Sequence, residues 1–346
     1  MACQPESTDM TKFARVNLEP ENITCGEPPE IYCTLENPYM CNNECDAATE
    51  ELAHPPELMF DTEGRNPTTF WQSSTWKEYP KPLEVNITLS WDKTIELTDD
   101  IIITFESGRP EQMVLEKSLD YGRTWQMYQF YATDCLDAFG MEPRSVREIS
   151  QHTLLDFICT EDYSRGYVWK YDKTVRFEIK DRFALFAGPR LHNMASLYGQ
   201  LDTSRTLRDF FTLTDLRLRL LRPATGATTV DENNLNRYFY AISDIKIQGR
   251  CKCNLHANLC VFEKGKLSSR VCDEVLLRCL NGGVCVQQQR CVCPPRFSGV
   301  LCETELCSGG QSCEELQSGS ERLWLSFLLL LLFSSLALQL SSLTSV

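Results

Sequence analysis

Histidine is scarce in this chain. The four present, His54, His152, His192 and His256, stand in no catalytic pattern. Gly-x-Ser-x-Gly, His-Glu-x-x-His and a phosphate-cradling glycine loop are all missing. An enzyme is therefore not expected; a secreted hydrolase would have to assemble its site without any of these signatures. Positive charge is also in deficit. Lys and Arg total 34 against 48 Asp and Glu, a net charge of −14, which excludes a general nucleic-acid binder, since that needs a basic footprint. Met1-Ala-Cys-Gln-Pro5 lacks the basic and apolar regions of a signal peptide. Cysteine is absent between Cys159 and Cys251, and charge is absent from Leu323 to Val346.

What is present is sulfur. The chain has 18 cysteines, which suit an oxidising compartment and would be liabilities in a reducing one. Seven lie at Cys3, Cys25, Cys33, Cys41, Cys45, Cys135 and Cys159, and eleven crowd into Cys251 to Cys313. That distribution describes a large domain with its own core, followed by modules too small to fold without staples. The boundary is expected at Gly249-Arg250. Two sequons, Asn22-Ile-Thr24 and Asn86-Ile-Thr88, mark Asn22 and Asn86 as glycan acceptors on a secretory route. An odd count of seven and the missing signal peptide share one reading: the sequence starts inside the domain, after a signal peptide and an upstream partner for Cys3.

Residues 84–106 read as three strands, Glu84–Trp91, Ile95–Thr98 and Ile101–Phe105, alternating in polarity and joined by polar turns. The pattern recurs at Val175–Ile179, Leu216–Leu220 and Tyr238–Ile247, with short helices expected at Pro143–Thr153 and Thr206–Phe211. One-sided alternation belongs to antiparallel sheets. The fold class is all-β, a sandwich of about 250 residues with long loops.

The C-terminal stretch centred on Phe327–Phe333 is long enough to span a bilayer but has no flanking Lys or Arg beyond it. An apolar tail behind small residues is the signal for glycosylphosphatidylinositol (GPI) attachment. Ser318-Gly319-Ser320 supplies the small triplet, so Ser318 is the expected attachment residue. Ser308 has the better spacer, but cleavage there would discard Cys313 and orphan Cys307.

Residues 272–302 read Cys-x6-Cys-x5-Cys-x5-Cys-x-Cys-x8-Cys, a spacing that leaves 15 pairings open. It resembles the epidermal-growth-factor-like (EGF-like) module, and that resemblance implies Cys272–Cys285, Cys279–Cys291 and Cys293–Cys302. Ser268–Val271 replaces the acidic residues of calcium-binding EGF-like variants, so a spacer is implied. Cys251-Lys-Cys-Asn254 resembles the opening of a laminin-type EGF module rather than a zinc ribbon, and implies Cys251–Cys260. Only three cysteines of that module precede the next, so it reads as a stub with several laminin-type repeats skipped near 267–270. Cys253 is left without its partner, and Cys307 and Cys313 remain to pair with each other.

Ser118-Leu-Asp-Tyr-Gly-Arg-Thr-Trp125, Trp71-Gln-Ser73, Tyr238-Phe-Tyr-Ala-Ile-Ser-Asp244 and Gly249-Arg-Cys-Lys-Cys-Asn254 resemble the laminin N-terminal domain of netrins. The EGF-like module and the apolar tail narrow the resemblance to the netrin-G subfamily. The implied organisation is a laminin N-terminal domain over 1–250, the stub over 251–270, the EGF-like module over 271–303, a linker over 304–320 and the lipid signal over 321–346. The implied fold is a jelly-roll β-sandwich with Cys25–Cys45, Cys33–Cys41 and Cys135–Cys159. It also implies a structural calcium ion held by Asp61, Thr69, Ser243 and the main-chain oxygen of Leu58; from the residues alone, Asp61 in Asp-Thr-Glu-Gly64 reads as a turn residue.

The resemblance further implies a neuronal surface protein on the outer leaflet. It would bind in trans a leucine-rich-repeat transmembrane partner, the netrin-G ligand, and support neurite outgrowth, axon guidance and synapse organisation. Three loops carry that recognition: Cys33–Cys45 with Asn37, Pro38, Tyr39 and Met40; Thr160–Thr174 with Tyr163, Tyr167, Trp169 and Tyr171; and Arg222–Asn234 with Thr225 and Asp231. The aromatics read as interface anchors or as cover for the domain's own edge. The rival function is a matrix component that assembles through its laminin N-terminal domain.

Overall fold

The structure is a computed structural model. It describes residues 7–34, 40–61, 67–150, 152–164, 173–187, 204–226, 229–251, 259–263, 266–270, 278–286, 290–298 and 301–305. The chain divides into two compact units, 1–253 with 259–269, and 254–258 with 270–346.

Among the described residues of the first unit, twelve strands lie up to Cys251: β1 (Thr8–Asp9), β2 (Arg15–Glu19), β3 (Glu30–Tyr32), β4 (Asn43–Cys45), β5 (Trp71–Gln72), β6 (Val85–Phe105), β7 (Gln112–Ser118), β8 (Gln126–Ala132), β9 (Cys159–Thr160), β10 (Thr174–Phe177), β11 (Thr212–Arg222) and β12 (Ala241–Cys251). Ten of them form one hydrogen-bonded array in the order β1-β12-β6-β11-β7-β8-β9, with β2 and β10 also on β6 and β5 on β12. The array is folded into a sandwich by β6. Its first half, 85–90, pairs with β2 and β11, and its second half pairs with β12 and β10. A strand that leaves one sheet and enters the other makes such a corner with a bulge. Here Asp92 takes φ +53° and the β11 register shifts beside it.

The expected three strands over 84–106 are thus one strand of 21 residues. Val85, Ile87, Leu89, Trp91, Ile95, Leu97, Ile101, Ile103 and Phe105 are all buried and all odd-numbered. The polar pairs therefore never reset the alternation, as real turns would. Trp91 Nε1 donates to Met10 O at 2.8 Å, satisfying its buried N–H. Burial of each such side chain contributes about 1.5–3 kcal/mol.

Among the described residues, three helices interrupt the sheets. α1 (Cys135–Phe139) is capped by Asp134, which accepts from Asp137 N at 2.9 Å, and ends at Gly140 with φ +64°. α2 (Ile179–Ala187) replaces the end of the strand expected to run to Ile179; β10 stops at Phe177. α3 (Arg205–Phe211) matches the second expected helix. The helix expected over 143–153 is only a 3-10 turn, Val146–Glu148, because Ile149 is already extended. Tyr238–Tyr240 likewise precede β12 rather than open it.

Cys25–Cys45, Cys33–Cys41 and Cys135–Cys159 are bonded in this unit. Cys251 is also disulfide-bonded. In it lies a hairpin of β13 (Leu259–Glu263) and β14 (Lys266–Arg270); the side chain of Cys260 lies outside the described residues.

The second unit holds two small hairpins, β15 (Val284–Val286) with β16 (Arg290–Val292) and β17 (Phe297–Ser298) with β18 (Thr304–Glu305). Cys279–Cys291 and Cys293–Cys302 staple them, and Cys285 is bonded as well. The second bridge packs over Gly283, where any Cβ would stand 2.5 Å from Cys302 Sγ. Cys272, Cys307, Cys313 and Ser318 lie outside the described residues.

Candidate interaction surface

Three loop roots meet at one end of the sandwich. The first is the hairpin β3–β4, closed by Cys33–Cys41. It rests against the segment after the third loop: Cys33 N donates to Asn236 O at 3.1 Å, and Asn234 Oδ1 lies 3.4 Å from Cys41 Sγ and 3.6 Å from Cys33 Sγ. Above this wall Ile31 and Met40 are 51% and 57% exposed, large apolar side chains of the kind that anchor interfaces.

The third loop leaves β11 and is fastened at once. Thr225 N donates to Glu111 Oε1 at 2.8 Å, Thr225 Oγ1 donates to the same oxygen, and Arg222 Nε donates to Glu111 Oε2 at 2.8 Å. At its far end Asp231 N donates to Tyr238 Oη at 2.9 Å, and Asp231 Oδ1 accepts from Asn233 N at 3.1 Å.

The second loop is fastened beside it. Ser164 Oγ donates to Pro110 O at 3.0 Å, one residue from Glu111. Glu161 Oε1 accepts from Cys135 N at 2.9 Å. Tyr163 donates to Glu178 and packs against Tyr131, with centroids 6.1 Å apart. Burial, then the Glu178 charge, push the Tyr163 hydroxyl far above its ordinary range. Pro110 and Glu111 therefore tie two of the loops, and Asn234–Asn236 ties the third.

The sequence places Tyr163 and Thr225 in the second and third loops, with Tyr163 read as an interface anchor or as cover for the domain's own edge. The structure turns both inward: Tyr163 packs against the core, and Thr225 is 6% exposed with both polar groups on Glu111. Asn37, Pro38, Tyr39, Tyr167, Trp169 and Tyr171 lie outside the described residues. Glu111 carried no sequence signal, being one acid in a polar turn, whereas Ile31 betrayed itself as an isolated apolar residue between charged and polar neighbours.

The expected calcium ligands lie on the first unit too. Leu58 sits in a 3-10 turn, Pro56–Met59, packed against β12 and β5. Thr69 Oγ1 donates to Asp61 Oδ2 at 2.6 Å, so these two are brought together. Ser243 Oγ instead donates to Thr104 O at 3.3 Å. Next to it the Asp244 carboxyl is pushed up to about 6, by burial first and then by the charges of Asp9 and Asp61. Among the described residues no three His, Cys, Asp or Glu side chains form a ligand group. A cation beside Asp61 would be held mainly by neutral oxygens, a set that suits calcium and not a softer metal.

His54 is taken up structurally. Its ring stacks on Phe70 at 4.2 Å, Nδ1 lies 3.1 Å from Phe70 O, and burial holds its pKa below the usual value.

Residues 3–249 match the Laminin N-terminal (Domain VI) family. The chain belongs to that family, and within it to the netrin-G subfamily. Human Netrin-G1 is 74% identical over 268 residues, covering 78% of this chain and 50% of that protein. Human Netrin-G2 is 60% identical over 266 residues, covering 77% and 50%. Mouse Netrin-4 is more distant, 27% identical over 304 residues, 87% of this chain and 40% of that one. The netrin-G chain described here spans about half the length of the two nearer relatives. The family match ends at Gly249, within β12, and so contains all three loop roots.

Proposed function

We propose that this netrin-G chain is a non-enzymatic recognition protein of the neuronal cell surface. It binds a leucine-rich-repeat transmembrane protein of the netrin-G ligand family in trans, and so supports neurite outgrowth, axon guidance and synapse organisation. What carries the reading is the convergence of three fastened loop roots on one end of the sandwich. Loops already fixed at their bases lose little entropy on docking, and the stapled one presents Ile31 and Met40 to solvent. The second unit, with its disulfide-clamped hairpins, acts as a spacer, and a GPI lipid on Ser318 holds the protein on the outer leaflet.

A calcium ion held by Asp61, Thr69, Ser243 and Leu58 O would tie the turn before Asp61 to β12. Its role is structural, since it would brace a turn against β12.

The test is surface binding. Cells displaying the chain should capture a purified netrin-G ligand ectodomain, and phospholipase C should release both together. Retention in the matrix after phospholipase, with no capture, would favour assembly through the laminin N-terminal domain instead.

A further inference from the structure

Opposite the core, the sheet made by β2, the first half of β6, β11, β7 and β8 presents an outward face with an unusual content. Cross-strand register places Glu116, Arg217 and Thr88 in one row, and Val114, Arg219 and Asn86 in the next. Their neighbours Ile87, Leu115, Leu216 and Leu218 point into the core, so this set points out. Both the acceptor and the hydroxyl residue of the sequon Asn86-Ile-Thr88 thus lie on the same face as the two arginines.

Arg217 and Arg219 converge on Glu116, Arg217 through Nε at 2.6 Å and a second nitrogen at 2.5 Å, Arg219 through one nitrogen at 3.3 Å. Each guanidinium has five N–H donors, so both keep donors for a second acceptor. The Trp125 ring lies on Arg217 at 4.0 Å. Trp125 remains partly exposed beside this contact.

The turn that carries Trp125 is heavily braced. Ser118 Oγ accepts from Asp120 N and Gly122 N, Asp120 accepts from Thr124 N and Oγ1, and Tyr121 N donates to Thr214 Oγ1 at 2.9 Å. This network holds Tyr121 at φ +61° and 59% exposed, a costly backbone position for a bulky residue.

We propose that this face is the resting surface of the protein's own Asn86-linked glycan, whose N-acetylglucosamine stem lies over Arg219 and Arg217 and against Trp125. The inference rests on occupancy of the Asn86 sequon. One strand across and two residues along is a span of about 8 Å, the scale of the disaccharide stem. The Asn86 amide is exposed, donating to Glu19 Oε2 at 3.2 Å. The chemistry matches: sugar C–H faces suit an aromatic ring, and hydroxyl and acetamide oxygens suit spare guanidinium donors. Tethering makes the contact intramolecular, so a weak site is filled at high effective concentration. The glycan then covers this sheet face and leaves the loop end as the open docking surface.

The experiment uses the full chain from a mammalian secretory host. Peptide mass spectrometry should find an N-glycan on Asn86. Hydrogen exchange of the segments 118–126 and 215–220 should rise several-fold in both Asn86→Gln and Thr88→Ala, the second of which keeps the Asn86–Glu19 bond, and not in Asn22→Gln. Trp125→Ala should keep the glycan but let an endoglycosidase trim it several-fold faster, with the melting curve confirming a folded protein. An unmodified Asn86 overturns the proposal at its premise. A glycosylated Asn86 whose loss leaves exchange unchanged, or whose trimming ignores Trp125, overturns the docking itself.

Discussion

The Thr225 amide and the Arg222 guanidinium meet on opposite oxygens of one carboxylate, Glu111, each at 2.8 Å. That relationship sets where the third loop departs from β11, and the adjoining Pro110 carbonyl holds Ser164 of the second. One short segment therefore aligns two of the three loops.

Replacing Glu111 by Ala should loosen both at once. Losing a carboxylate with three donors costs about 2–3 kcal/mol, a fall of several degrees in Tm. The fall in netrin-G ligand affinity should exceed what partial unfolding explains. A calorimetric melt beside a surface-binding titration checks this. An Ala variant with full affinity would remove Glu111 from the positioning of the loops.

The two bridges at the other root should separate stability from recognition. In the chain-entropy account, Cys33–Cys41, closing 8 residues, is worth about 2.5 kcal/mol, and Cys25–Cys45, closing 20, about 3.3 kcal/mol. Cys45 is wholly buried with Phe239 and Ala241, so its removal also opens a cavity. The Cys33→Ser, Cys41→Ser double variant should fold and bind weakly. The Cys25→Ser, Cys45→Ser variant should lose more stability. Melting temperatures and binding curves of the two, measured together, decide the matter.

The sandwich was legible because burial imposes a period of two on nearly every strand. The reading faltered where polarity and phase disagreed. Asp92–Thr94 and Asp99-Asp100 look like turns by composition, yet Trp91, Ile95 and Ile101 keep one parity, and parity is what a sheet obeys. Ile179 continued the alternation of β10, but the chain turns into α2, whose Arg182 is fully buried against Leu154 O and Gln129; a buried arginine leaves no sequence trace. The site was less legible still. Tyr163 and Thr225 sit in loops by sequence, but their partners Glu178 and Glu111 are distant, and only the fold brings them together.

Lys117 gives a pH signature. It lies 3% exposed, with Nζ donating to Asp209 O, Phe210 O and Thr212 O at 2.5, 2.6 and 3.4 Å, which caps the end of α3. Burial pushes its ammonium down to about 7, with the Asp209 charge opposing the shift. Between that value and 10.5 the unfolded chain binds more protons than the folded one, so stability rises with pH through this window, by up to about 1.4 kcal/mol per unit. Below pH 7 both states are protonated and the slope vanishes. Urea midpoints from pH 7 to 10 should climb in the wild type and flatten in Lys117→Met. Equal slopes in the two proteins would show that Lys117 is not the titrating group.

Calcium should act on the first unit through linkage. A ligand that binds only the folded state at 100 times its Kd stabilises it by about 2.7 kcal/mol, so adding calcium should raise the Tm and adding a chelator should lower it. Asp61→Ala removes the one carboxylate that the Thr69 hydroxyl addresses, at 2.6 Å, and should abolish the shift. Thr69→Val should weaken it by losing one oxygen. Because the ion would brace the turn before Asp61 against β12, whereas Glu111 fastens Thr225 and Arg222, partner affinity at saturating calcium should survive Asp61→Ala at low temperature, where the domain stays folded. Affinity that collapses with calcium while the fold persists would make the ion part of recognition rather than a brace for β12.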